Sequence, residues 1–268
     1  MSRTPAEPSQ APVDPPVGKK RPVLRYGLLV LGALTALAAG FLGYTILTLP
    51  KVSGLRSSNP ASTSLIRFRQ SEARAAGRAL KVRMEWVPFS RVPHLLKESV
   101  RITEDFSFYW HKGIDFTELR ESLKRDLREG RFARGGSTIT QQLAKNLYLS
   151  PRKSLFRKLK EALIARRLEK RLSKDRIFEL YLNVIELGPG VFGVQAASRR
   201  WFHKEVADLD PEEIVRLTAI IPRPLSTDPL GSSRWLRWRC RWILGKLEAY
   251  DVVSADEYQA LIGEFRSP

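Results

Sequence analysis

The sequence predicts a mainly α-helical domain carried behind a single membrane-spanning helix. Three observations predict it: an uncharged apolar run at 26–49, apolar residues recurring at three- and four-residue spacing through 155–184, and a scarcity of alternating strand patterns. Residues 1–22 are rich in Pro, Ser, Ala and charge and nearly free of aliphatics, so they cannot bury enough surface to offset chain entropy. They are expected to be a disordered cytoplasmic tail.

The anchor is assigned to 23–50. Its run YGLLVLGALTALAAGFLGYTILTL is long enough, at 1.5 Å per residue, to cross a hydrocarbon core of about 30 Å. A cleaved signal peptide has an apolar region of only about 7–15 residues ending in small residues, whereas this run ends in Leu49, Pro50 and Lys51. Lys19, Lys20, Arg21 and Arg25 precede it and Lys51 and Arg56 follow, a modest bias toward a cytoplasmic N-terminus. Residues 51–80, with Ser, Asn, Pro, Gly and scattered Arg, are expected to be a juxtamembrane linker. The folded domain is placed at 81–250 and a C-terminal helix or tail at 251–268.

Within the domain, SLFRKLKEALIARRLEKRL sets Leu155, Phe156, Leu159, Ala162, Leu163, Leu168 and Leu172 on one face and Arg and Lys on the other. Ser173 and Asp175 break this pattern, and KDRIFELYLNVIEL restarts it. Prolines at 211, 222, 224 and 229 punctuate the remainder.

A net charge of +18 implies attraction to something anionic: nucleic acid, lipid headgroups or a phosphorylated substrate. Between Arg120 and Arg176 there are 18 Lys and Arg against 6 Asp and Glu, two-thirds of the excess in one stretch. One cysteine, Cys240, excludes an internal disulfide framework, and three histidines leave no Cys/His cluster at zinc spacing.

Three segments carry candidate chemistry. In ESVRITEDFSFYWHKG the carboxylates Glu104 and Asp105 stand beside Phe106, Phe108, Tyr109 and Trp110. Desolvation there raises a carboxyl pKa and suits Glu104 to act as a general base, although an ordinary capping or ion-pairing carboxylate fits the same residues. In RGGSTITQQLAKNLYL, Thr138 and Gln141 have capping-box spacing after Gly135-Gly136, and a helix start with free N–H groups plus Lys145 suits phosphate oxygens. A plain capped helix with a solvated lysine fits equally. In the basic block, Glu161 follows Arg157 by one turn, as a routine helix pair or as a second active-site carboxylate among cations.

Taken in order, EDFSFYWHKG (104–113), GGSTITQQLAKN (135–146), RKLKE (157–161) and KDRIFELYLN (174–183) resemble the signature blocks of the lysozyme-like glycosyltransferases that polymerise peptidoglycan. IELGPGVFGVQAASRRWF (185–202) and IIPRPLSTDP (220–229) resemble later segments of the monofunctional members. The likeness spans roughly 85–245.

The resemblance implies a lysozyme-like, two-lobed helical domain and transfer of a growing glycan from polyprenyl pyrophosphate to the 4-hydroxyl of lipid II, with inversion to a β(1→4) bond. Glu104 matches the general base and Glu161 the second essential carboxylate. Asp105, Ser137, Gln141, Lys145, Arg157 and Lys160 match substrate-binding positions. Where many members carry arginine before the serine of the third block, this chain has Lys153 preceded by Arg152. Lysine lacks the bidentate fork, so the two share that assignment. The resemblance implies no required cofactor, with Mg or Mn allowed between Glu161 and pyrophosphate. It implies lipid II, the glycan chain, cytoplasmic-membrane lipids and cell-wall synthesis or division proteins as partners, no nucleic acid, and an extracytoplasmic catalytic domain.

Two other readings remain. A lytic enzyme of the lysozyme-like class has no need of a cationic leaving-group site. A membrane-tethered nucleic-acid-binding protein would account for the charge and for RWLRWRCRW at 234–242, but for none of the signature blocks.

Overall fold

The computed structural model describes residues 21–130, 136–152 and 154–265. It divides into an N-terminal unit that ends at Thr48 and a second compact unit from Leu49 onward. The first contains helix α1 (Arg21–Leu47), in which Arg25–Leu47 is long and apolar enough to cross a membrane by length and composition. Its large side chains, such as Leu37 and Tyr44, are exposed.

The second unit is mainly helical. Its helices are α2 (Ser64–Ala75), α3 (His94–Glu104), α4 (Phe116–Glu129), α5 (Ile139–Tyr148), α6 (Leu155–Glu169), α7 (Lys174–Val184), α8 (Val194–Trp201), α9 (Pro211–Ala219), α10 (Arg234–Ala249) and α11 (Ala255–Ile262). Most begin on a side-chain cap that the sequence supplies. Thr63, Asp115, Ser154, Ser173, Ser233 and Ser254 each accept a hydrogen bond from the backbone N–H three residues on, satisfying a donor that the helix leaves unpaired. Gly130 ends α4 in the left-handed conformation at φ 62°, where glycine has no side chain to clash.

Helix α5 lies at the centre, packed on α6 and α7. Ile139, Leu143 and Ala144 of α5, Ile164 and Leu168 of α6, and Ile177, Phe178 and Leu180 of α7 are all buried. In α7 this follows the spacing of three and four in the sequence, but α6 is turned: of its expected apolar face only Leu168 and Leu172 are buried, and Leu155, Phe156 and Leu159 are exposed, because the buried stripe of α6 runs through Glu161, Ile164, Ala165 and Leu168. Three short strands, β1 (Arg83–Met84), β2 (Glu186–Gly188) and β3 (Val191–Phe192), form a small sheet in the order β1-β3-β2, with β3 antiparallel to β2 and parallel to β1. Gly193 closes it at φ +82°; a Cβ there would sit 2.5 Å from the Asn183 carbonyl oxygen.

The segment 51–80 is not a free linker. Leu49 and Val52 enter the main core, and α2 packs on α5. Leu65 and Ile66 are buried beside Phe192, and Arg69 forms a two-pronged ion pair with Glu186 at 2.8 Å on both oxygens. The polar composition conceals this because a short helix needs only one narrow apolar stripe to dock. Nor is 251–265 a loose tail: α11 packs on α10, and Ile262 and Phe265 are buried.

Candidate active site

Glu104 is the last residue of α3, and the chain leaves the helix at Asp105. Its side chain is 12% exposed. Three groups surround the carboxylate. Gln142 Nε2 donates to Oε2 at 3.0 Å, Arg239 Nη2 lies 3.7 Å from Oε1, and Lys145 acts on it electrostatically. Behind Gln142, the buried Tyr181 hydroxyl donates to Gln142 Oε1 at 3.1 Å, which fixes the amide so that its NH2 faces Glu104. Burial raises the Glu104 pKa above the ordinary carboxylate range, and Gln142, Arg239 and Lys145 pull it partly back. The carboxyl is thus desolvated but held by cationic and amide partners, an environment suited to accepting a proton.

Asp105 has a different environment. It is buried; Ile139 N donates to its Oδ2 at 2.9 Å, and His111 Nε2 donates to the carboxylate at 3.0 Å. His111 Nδ1 in turn accepts from Gly113 N at 3.1 Å. Gly113, at φ +90°, comes so close to α6 that a Cβ would meet the Ala165 backbone at 3.2 Å, and its carbonyl accepts the Thr138 hydroxyl at 2.8 Å. Asp105 therefore ties the end of α3 to the start of α5, and that tie sets Glu104 opposite Gln142.

A cleft of about 470 Å³ opens at Glu104 and Asp105, with Ser137, Gly136 and Thr138 on one side and Trp242, Lys246 and Tyr250 of α10 on another. A neighbouring cavity of about 230 Å³ is lined by Gln142, Lys145, Asn146, Tyr181 and the Arg69–Glu186 pair. Lys145 is half-buried; burial lowers its pKa, and Glu161 and Glu104 act in the opposite direction. Among the described residues no carboxylate lies within ion-pair distance of Lys145, so it remains available to an anionic ligand.

The second carboxylate, Glu161, is buried on α6. Arg157 Nη1 donates to Oε2 at 2.7 Å and Lys158 Nζ to Oε1. Lys158 also donates to Ser137 Oγ at 2.8 Å, joining the basic block to the loop before α5. Both Glu161 oxygens thus carry cationic partners, and a divalent cation bound there would have to displace one of them. No group of three or more His, Cys, Asp and Glu suited to a metal occurs among the described residues.

Three sequence assignments are placed differently. Gln141 occupies the N3 position of a complete capping box: its amide oxygen accepts from Thr138 N and its own N–H donates to Thr138 Oγ1, both at 3.1 Å. It is buried there and lines neither cavity; Gln142, one residue further round the helix, reaches Glu104. Lys160 lies over the Phe156 ring at 4.7 Å instead of on Glu161, because residues three and four before Glu161 share its face and the residue immediately before does not. Arg152 is exposed, and the only hydrogen bond described for it is backbone, N–H to Ser150 Oγ at 3.3 Å. Lys153 lies outside the described residues.

Arg239 was invisible to motif reading. It belongs to the Trp- and Arg-rich run 234–242, whose helical phase buries Leu236 and Cys240 and leaves Arg239 stacked on Trp242 at 4.3 Å and turned to Glu104. Burial lowers its pKa, offset in part by Glu104, and its Nε has no hydrogen-bond partner. The available signal was the i, i+3 pairing of Arg with Trp inside an amphipathic helix.

Comparison with known proteins follows the same residues. The family model Transglycosylase matches residues 72–248. A protein named biosynthetic peptidoglycan transglycosylase from Dechloromonas aromatica is 42% identical over 194 residues, covering 72% of this chain and 84% of that one. One of the same name from Aromatoleum aromaticum is 44% identical over 191 residues, covering 71% and 83%. The crystal structure of Penicillin-Binding Protein 1A from Haemophilus influenzae aligns with a TM-score of 0.40 at 19% identity, over 69% of this chain and 18% of that one. With its signature blocks gathered around Glu104 and its relatives matched over most of their length, the chain belongs to the transglycosylase family.

Proposed function

We infer that the chain is a peptidoglycan glycosyltransferase that polymerises glycan strands from lipid II. The observation that carries the chemistry is the pairing of a desolvated carboxylate, Glu104, with separate cationic groups, Lys145 beside it and Arg157 and Lys158 on Glu161. Glu104 takes the proton from the 4-hydroxyl of the acceptor sugar. The freed oxygen attacks the anomeric carbon of the donor, forming the β(1→4) bond as the bond to pyrophosphate breaks. A glycosidase must protonate an alkoxide leaving group, whereas pyrophosphate departs as a stable anion and needs positive charge beside it. The cations match that need, and the lytic and nucleic-acid-binding alternatives gain no support from the relatives.

The substrate's polyprenyl tail gives the apolar rim a role. Trp110, Phe116, Leu127 and Leu155 are exposed around α4 and α6, at 66% or more in each case. Such a surface is suited to the lipid interface, next to a substrate whose tail stays in the bilayer. With α1 spanning the cytoplasmic membrane and its N-terminus inside, the second unit works on the outer face, where the precursor's sugars are presented. The test is polymerisation of purified lipid II by the full-length chain, with and without the phosphoglycolipid moenomycin. Formation of moenomycin-sensitive glycan, lost by about 10²–10⁴-fold in Glu104→Gln, is the expected result. Cleavage of finished peptidoglycan without polymerisation would overturn the reading.

A further inference from the structure

We propose that a second cationic face, built from the end of α6 and the segment after α1, binds the headgroups of anionic phospholipids. The face is separate from the catalytic cleft. It surrounds a depression of about 400 Å³ lined by Arg56, Lys170, Arg171, Leu172, Ser173 and Arg176. Lys51 and Arg166 extend it, and Lys51, Arg56, Arg166, Lys170 and Arg171 are all exposed.

Two features make it more than a solvated helix face. The first is its covalent position. Arg167 Nη1 donates to the carbonyls of Leu49 and Pro50 at 3.0 and 3.3 Å, and Arg56 donates to the Arg171 carbonyl through Nε and Nη2 at 3.3 and 3.2 Å. Arg176 likewise holds the Leu55 and Ser58 carbonyls at 2.8 and 3.1 Å. The end of α6 and the start of α7 are therefore fastened to residues that follow the last residue of α1, Leu47, by two to eleven positions. If α1 spans the bilayer, chain connectivity brings these cations to its surface.

The second is the missing counter-charge. Neither 49–58 nor 166–173 contains an acid except Glu169. Glu169 is already engaged, accepting from the Thr140 hydroxyl at 2.6 Å and from Lys174 at 2.8 Å. Asp175, the next acid, accepts from the Tyr109 hydroxyl at 3.0 Å. Arg176 is paired with Glu179 at 3.1 Å, but among the described residues no ion pair joins Lys51, Arg56, Arg166, Lys170 or Arg171 to an acid. Such a juxtamembrane cluster fits lipid phosphates, and each cation near an anionic surface is worth about fivefold in partitioning at low salt. The face would select the lipid surroundings of the enzyme, independently of the pyrophosphate site.

This rests on α1 being a membrane anchor, and the experiment separates the two. The full-length chain is reconstituted in phosphatidylcholine vesicles containing a trace of dansyl-labelled phosphatidylglycerol or dansyl-labelled phosphatidylcholine, and energy transfer from the tryptophans is read. Flotation with the vesicles reports the anchor. The expected result is transfer to the anionic probe at least about twofold above the zwitterionic one, falling toward equality near 1 M salt, where the screening length is about 3 Å. The quadruple variant Lys51→Gln, Arg166→Gln, Lys170→Gln, Arg171→Gln should float and lose the preference. A control that removes four exposed cations elsewhere, Arg78→Gln, Lys81→Gln, Arg83→Gln and Arg200→Gln, should keep it. Floating protein with equal transfer to both probes, or equal loss of preference in both variants, would overturn the proposal while leaving the anchor intact. A chain that does not float would overturn the anchor and this proposal together.

Discussion

Arg239 and Glu104 face each other at 3.7 Å, although 135 residues separate them and only the folding of α10 against α3 brings them together. The contact gives a buried carboxylate a cationic neighbour that is itself poorly hydrated, 13% exposed against 12%. Desolvation raises the Glu104 pKa and Arg239 opposes the rise, keeping more of the base ionised at working pH. The acid limb of kcat/KM should therefore lie above the ordinary carboxylate range, and Arg239→Gln should move it to still higher pH. Arg239→Lys, which keeps the charge, should restore much of the position. A pH–rate profile of the three proteins checks this; an unmoved limb in Arg239→Gln would mean that the arginine only fills space against Trp242.

The same raised pKa has a stability consequence. Below the unfolded-state pKa, Glu104 is protonated in both states and costs nothing by charge. As pH rises through the folded-state value the buried carboxyl must ionise or unfold, and stability is lost. Glu104→Gln should thus gain in melting temperature relative to wild type as pH rises from the acidic range to neutrality, while its activity stays absent. Parallel melting-temperature curves for the two proteins would contradict the burial argument.

Much of this site is legible in the sequence, and the failures have physical reasons. Glu104, Asp105, Lys145, Arg157 and Glu161 lie in blocks recognisable by their order along the chain, and the fold brings Glu104, Lys145 and Glu161 near enough to act on one another. Gln141 lines neither cavity because a capping box turns its N3 side chain back on the backbone, and Gln142, about 100° round the helix, reaches Glu104 instead. Arg239 failed because its partner is remote in sequence and its neighbours look like a surface charge run. Helix α2 failed because two buried residues, Leu65 and Ile66, and one ion pair suffice to dock it.

The adjacent glutamines should separate cleanly. Gln141→Ala removes the acceptor of Thr138 N and should lower stability by about 1 kcal/mol, typical of a lost cap, with activity per folded molecule little changed. Gln142→Ala removes the donor to Glu104 and the acceptor of Tyr181, and should lower kcat while changing melting temperature less. Melting curves and polymerisation rates on the same preparations decide it, and the reverse pattern would reinstate Gln141 as the site residue.

Lys158 and Lys160 offer a second contrast on α6. Lys158 joins Ser137 to Glu161, whereas Lys160 covers the Phe156 ring. Lys158→Ala leaves a buried carboxylate with one cation fewer and should cost at least about tenfold in kcat, since a lost charged partner inside a protein costs roughly 1.5–3 kcal/mol. Lys160→Ala should stay within about threefold of wild type, as a surface cation–π contact is worth about 0.5–1 kcal/mol. Equal losses would place Lys160 in the site after all.

Lys145 carries the leaving-group argument. Burial lowers its pKa, no carboxylate among the described residues pairs with it, and it is near enough to Glu161 and Glu104 to feel both. If it neutralises pyrophosphate as the bond breaks, its contribution grows toward the transition state, so Lys145→Ala should lower kcat far more than it raises KM. Removing a stabiliser of this kind typically costs about 10²–10³-fold in kcat. Lys124 is the fitting control: it is 46% exposed and paired with Glu121 at 2.7 Å, a surface ion pair of the sort worth about 1 kcal/mol or less. Steady-state polymerisation under matched detergent and salt should therefore show a large kcat defect for Lys145→Ala and a change within about threefold for Lys124→Ala. Small, equal effects would move the pyrophosphate site off α5, and Arg157 and Lys158 would become the groups to test next.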